Sequence, residues 1–135
     1  MDTIKFTTNW NKKLETDNFT TIRLKNPYKY KLGEVYDIQQ KVKGIFVSIG
    51  KGRIIQLHQL KLDQFKEIPC YLDTGYSLAE TKEIIKKMYP KIRAWQQQDL
   101  YYMLIQKVKP QQITNDKRQT GENRTNRNIA FLTTF

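Results

Sequence analysis

From Pro110 to Asn128 the only aliphatic residue is Ile113, in a stretch dominated by Gln, Asn, Thr, Lys and Arg. Such a segment cannot bury enough apolar surface to offset its ordering entropy. Any packed core is therefore confined to residues 1–109, one domain's worth of chain. The sequence predicts a folded domain over 1–109 and a basic flexible tail over 110–135, with cations Lys117, Arg118, Arg124 and Arg127. Ile129-Ala130-Phe131-Leu132 reads as a short apolar end with the character of a docking segment. At 39% apolar residues and a mean hydropathy of −0.71, the chain can build one modest core.

Several classes drop out early. No apolar run approaches the roughly 18–20 residues of a spanning helix, and MDTIKFTTNW has nothing like a signal-peptide core. A cytoplasmic protein with no membrane contact is expected. A single cysteine, Cys70, rules out a disulfide framework, and a single histidine, His58, leaves no His-His metal site. Neither a metal nor a cofactor is expected. GxGxxG and GxxxxGK[ST] are both missing.

Periodicity gives a coarse order of elements. Ile4–Thr7 alternates as a short strand, and Trp10 and Leu14 share one face of a helical turn or two. Phe19–Leu24 is a strand with Phe19, Thr21 and Arg23 on one face and Thr20, Ile22 and Leu24 on the other. After the break at Asn26-Pro27 come strands at Val35–Ile38, Gly44–Ile49 and Arg53–Leu57, with Gly50-Lys51-Gly52 as a turn or a bulge. Leu62, Phe65 and Ile68 suit a short helix ended by Pro69, and Asp73-Thr74-Gly75 reads as a turn. Ser77-Leu78-Ala79-Glu80 is a capping box that opens a helix closed by Pro90. Tyr101–Val108 reads as a last strand, with a helix running on from Trp95 to Ile105 as the alternative. The sum is an α+β domain: a mostly antiparallel, barrel-like β-sheet with two or three flanking helices.

Three stretches carry a family likeness: Phe19–Asn26, Lys31–Tyr36, and Asp73-Thr74-Gly75-Tyr76-Ser77 running into the helix that ends at Tyr89-Pro90. Together they resemble the ASCH domain of the PUA-like superfamily, small RNA-associated β-barrels, over roughly Ile4 to Lys109. The family often carries Gly-x-Lys-x-x-Thr-x-Arg. Here Thr21 and Arg23 match, Thr16 replaces the glycine and Asn18 the lysine. The resemblance implies a PUA-like barrel and, in members acting as acetylcytidine amidohydrolases, a catalytic lysine, threonine and glutamate. Thr21 is the one retained; Thr74 stands where the glutamate is expected, with Asp73 beside it as a substitute base.

The charge balance is 24 basic against 13 acidic residues, a net +11, which points to a polyanionic partner. Within Arg23–Lys31, cations alternate with aromatics. Lys25, Lys29 and Lys31 can neutralise phosphates, Tyr28 and Tyr30 can stack on unpaired bases, and Asn26 can read a base edge. Arg23 beside Thr21 would grip a phosphate or a base, and Asp73–Tyr76 leads into a helix N-terminus, with Tyr76 at the rim. The competing structural view makes the loop a solvated cover over the barrel edge. The sequence therefore predicts a non-catalytic domain that holds a nucleotide in one cleft built by Thr21, Arg23, the Tyr28–Lys31 loop and Asp73–Ser77. Single-stranded RNA is the expected partner and DNA the second. The alternatives are a hydrolase, either an amidohydrolase with Thr21 and Asp73 central or a nuclease, and a protein-interaction adaptor.

Overall fold

Alternating apolar and polar residues build five strands: β1 Thr3–Phe6, β2 Asn18–Leu24, β3 Val35–Val42, β4 Ile45–Lys61 and β5 Asp99–Val108. The structure is a computed structural model that describes residues 1–109. The expected tail, its four cations and its apolar end lie outside the described residues. One sheet runs in the order β1-β3-β4-β5-β2; β1 and β3 are parallel and the other pairs antiparallel.

The 17-residue β4 spans the two strands expected at 44–49 and 53–57, so Gly50-Lys51-Gly52 makes no turn. Its register slips twice, leaving Ile49 and Ile55 as extra residues against β3 and β5. A bulge bends its strand and increases the local twist. With two of them the sheet curls into a half-barrel, open between its edges β1 and β2. Gly52 permits close packing in the curl, since a Cβ there would lie 2.6 Å from Ile105 Cγ2.

The concave face holds one core, with Ile4, Ile38, Ile54, Met103 and Ile105 all but fully buried. Each such side chain contributes about 1.5–3 kcal/mol. Where the composition suggests a single core, a second one of Ile22, Leu62, Phe65, Cys70, Ile85 and Leu100 lies under the helices, because the sheet is covered on both faces. The two faces of β2 divide between them as its alternation requires.

Helix α1 spans Glu67–Thr74 and α2 spans Leu78–Met88. Pro69 does not end a helix; it sits in the first turn of α1, where no backbone donor is needed. Asp73 and Thr74 are consequently helical, and the turn begins at Gly75, whose φ of +82° forms the left-handed cap. The capping box forms as the sequence predicts: Ser77 Oγ accepts from the Glu80 N–H and the Glu80 carboxylate accepts from the Ser77 N–H. Short 3-10 turns occupy 10–15, 62–64 and 95–97, so no helix continues from Trp95 into β5. Among the described residues no helix is long and apolar enough to cross a membrane.

Candidate functional site

Because β1 and β2 do not pair, their facing edges leave a seam. Arg23 spans it. Its Nη2 donates to the Lys5 carbonyl at 2.8 Å, its Nε donates to Thr21 Oγ1 at 2.9 Å, and its guanidinium lies 4.6 Å from the centre of the Phe6 ring. Beside this bridge is a cleft of about 140 Å³ walled by Lys5, Trp10, Thr21, Arg23 and Asp73, with Ile84 and Met88 of α2 as its apolar side. A cavity of about 150 Å³ takes one benzene ring, so the space suits a single ring with its substituents reaching solvent.

An ion pair is buried at the cleft wall. Lys13 Nζ lies 3.0 Å from Asp73 Oδ1, with both side chains 6% exposed, and Thr20 Oγ1 donates to the same oxygen at 2.8 Å. Lys13 is aimed inward by an irregular turn in which Asn11 and Lys12 hold φ of +57° and +55°. The Asn9 side chain accepts from the Leu14 N–H, and the Asn11 amide donates to the Tyr71 carbonyl, which fastens the turn to α1. Burial pushes the Lys13 amine below its ordinary value. The neighbouring Asp73 carboxylate pulls it back up by charge and hydrogen bond, and Arg23 adds a smaller downward push.

Two hydrogen-bonding positions at this wall stay open. Asp73 is 4% exposed and both of its bonds end on Oδ1; no described residue donates to Oδ2. Thr21 is 3% exposed; its oxygen accepts from Arg23, and no described acceptor takes its proton. A buried polar group without a partner costs about 1–3 kcal/mol. The cleft is thus walled by a carboxylate with one oxygen unbonded, a hydroxyl whose proton is untaken among the described residues, and a guanidinium.

Thr21, Arg23 and Asp73 come together, as expected from the sequence. The loop does not join them. Tyr28, Lys29 and Lys31 edge a separate shallow hollow with Asp2, Glu34 and Tyr36. Lys25 and Asn26 are exposed, and Asn26 Oδ1 accepts from the Tyr28 and Lys29 N–H groups, so it shapes the turn. Tyr28 stands free at 90% exposure. Tyr30 corrects the expectation. It is 8% exposed and packs edge-on against Tyr101, because it plugs the barrel core and has no face left for a base. Tyr36 Oη ties the loop down by accepting from the Lys31 N–H and donating to the Lys29 carbonyl. Tyr76 stands next to the cleft, edge-on to Trp10 at 5.9 Å. The single cleft expected from the sequence is therefore two separate places.

Thr74 has a structural task, donating to the Cys70 carbonyl and pairing with Thr81 Oγ1. Burial pushes the Cys70 thiol up, which keeps it from acting as a thiolate nucleophile. Among the described residues no cluster of three or more His, Cys, Asp or Glu side chains could hold a metal. Lys5, Trp10 and Lys13 were missed. Lys13 had a legible signal, because it lies three residues after Trp10 and so on the same side of the turn as the apolar Trp10 and Leu14. No family model matches the chain, no curated protein matches it, and no solved structure matches it, so the likeness to the ASCH domain rests on the sequence stretches alone.

Proposed function

We propose that the domain binds single-stranded RNA by seating one base in the seam cleft, as an ASCH-type domain with a PUA-like half-barrel would. The observation that carries this is the pair of open positions on buried groups, Asp73 Oδ2 and the Thr21 hydroxyl. A base offers the matching chemistry, an N–H for the carboxylate oxygen and a carbonyl or ring nitrogen for the hydroxyl. Arg23 and Lys5 supply positive charge at the mouth for the attached phosphate, and Trp10 offers a ring to the base. The surplus of +11 supports a polyanion over a neutral small molecule. DNA of the same sequence fits the same groups, and the two are compared in one titration. The test is the titration of labelled single-stranded 12-mers of RNA and DNA against the protein and its Thr21→Val variant. Loss of affinity by about fivefold or more in the variant is expected, from one neutral hydrogen bond. Equal affinity would remove the cleft from the binding surface.

A hydrolase remains the second reading because of one observation: a desolvated lysine, a carboxylate and a threonine hydroxyl meet at Asp73. The threonine with a base in contact is Thr20. The retained Thr21 touches Arg23, which takes no proton at any working pH. Nucleophilic attack needs a base within reach of the attacking hydroxyl, and among the described residues Thr21 has none.

A further inference from the structure

We propose that the outer face of the β3–β4 arm is a phosphate-binding surface that carries the rest of the strand whose base enters the seam cleft. This rests on the cleft reading and extends it from one nucleotide to an oligonucleotide. The pairing of β3 with β1 ends at Gln40↔Phe6, and that of β4 with β5 ends at Lys51↔Val108. Beyond those points residues 41–48 stand as a two-stranded arm, closed by a Lys43-Gly44 turn with both φ positive.

Register decides what the arm shows outward. Ile4, Ile38, Gly52 and Ile54 point into the core, so their neighbours Lys5, Lys51 and Arg53 point out. Lys41 stands opposite Phe46 on the same outer face. The ammonium groups of Lys5 and Lys41 lie 5.1 and 5.9 Å from the Phe46 ring centre, which holds both over the sheet. With Lys43 at the tip this makes five exposed cations. None is in an ion pair among the described residues. Asp37 of β3 accepts from Ser48 and Gln39 and lies within electrostatic reach of Lys51, and against five cations it leaves the face a positive surplus. Lys5 belongs to both surfaces, as a wall of the cleft and as a partner of Phe46. The positive track is therefore continuous with the cleft, whereas the Tyr28–Lys31 loop edges a separate hollow.

The test uses the full chain with Lys41→Gln, Lys43→Gln and Lys51→Gln combined. All three are exposed, and none lines the seam cleft. Binding of a 12-nucleotide single strand and of mixed dinucleotides is measured at 50 and 200 mM salt. Each phosphate contact on a single strand adds about 0.7 to the salt slope. Removing three lowers the slope by about 2, so the parent should lose about 16-fold more affinity for the 12-mer than the variant across that range. Dinucleotide binding should not change. An unchanged 12-mer slope would overturn the proposal and leave the lysines as guards against edge pairing. Equal loss on both probes would overturn it too, by placing the effect in the cleft. Tight binding to phosphatidylserine vesicles with none to the 12-mer would assign the face to a membrane instead. If Thr21→Val changes neither probe while the arm variant flattens the slope, the cleft reading fails and the arm surface stands.

Discussion

Changing Asp73 to Asn keeps the shape of the side chain and removes its charge. Lys13 then keeps an ammonium at 6% exposure with no carboxylate beside it. Breaking a buried pair from one side costs about 3–5 kcal/mol, because a buried charge is left without compensation. A domain of this size holds about 5–15 kcal/mol in all, and about 3 kcal/mol lowers its melting temperature by roughly 12–24 °C. Adding Lys13→Met removes the stranded charge, and the double variant should regain most of the loss. Urea denaturation of the parent, both single variants and the double variant closes the cycle. The coupling should lie toward the upper end of about 0.5–3 kcal/mol. Additivity within about 0.5 kcal/mol, with each single change costing under about 1 kcal/mol, would show that water reaches the pair, and the buried anchor of α1 would be refuted.

The same pair sets a pH dependence. The Lys13 amine sits below its ordinary 10.5 because burial outweighs Asp73. Below 10.5 the unfolded chain holds that proton more firmly than the folded one. Stability therefore rises with pH through the window between the folded value and 10.5, and the cost of keeping the buried charge is fully present below that window. In Asp73→Asn the upward pull is lost, so the window should widen toward neutral pH. Denaturation series from pH 7 to 10.5 check the sign. A fall in stability assignable to Lys13 across that range, as the difference from Lys13→Met, would contradict it.

Other outcomes follow from single positions. Tyr30→Ala should cost about 3–5 kcal/mol as a core truncation, while Tyr28→Ala should leave the urea midpoint unchanged. Gly75→Ala should destabilise by about 1–2 kcal/mol, since its φ is +82° and its Cβ would stand 3.3 Å from Asn11; an unchanged melting curve would show that the cap relaxes freely. Acetylcytidine and similar acylated nucleosides should not turn over above a Thr21→Ala control, and robust hydrolysis lost in that control would install the hydrolase reading.

What was legible in the sequence was mostly local. The two faces of β2, the Ser77–Glu80 box and the core strand at 101–108 each depend on residues within a few positions of one another. The two bulges were not legible as such, because Gly50-Lys51-Gly52 supports a turn as well as a bulge and only pairing with β3 and β5 decides. The meeting of Thr21, Arg23 and Asp73 was anticipated from the family likeness and the facing of β2. The loop failed as part of that site because alternation of Lys and Tyr does not say which tyrosine faces in. Tyr30 completes a core whose other walls, Tyr36 and Tyr101, lie 6 and 71 positions away. The cations of the arm are not legible as one surface for the same reason. Lys5, Lys41 and Lys51 share no stretch of sequence and converge only through strand register.

Asp73 joins stability to binding. Its Oδ1 anchors α1 to Lys13 and to Thr20 of β2, while its Oδ2 takes no donor among the described residues and the residue lines the cleft. A ligand that donates to Oδ2 binds only the folded chain, so it must raise the unfolding free energy, by about 2.7 kcal/mol at a hundredfold excess over its dissociation constant. In Asp73→Asn the anchor weakens, and the side-chain amide offers a donor or an acceptor according to which way it turns. Where the amide oxygen is kept on Lys13 and Thr20, the amide nitrogen takes the place of Oδ2 and repels an N–H of the base. Thermal stabilisation by the 12-mer should therefore shrink in Asp73→Asn by more than the loss of basal stability accounts for. Lys13→Met leaves Oδ2 in place, so it should lower basal stability yet keep most of the ligand-induced gain. Equal gains in both variants would separate the anchor from the site and assign Asp73 to structure alone.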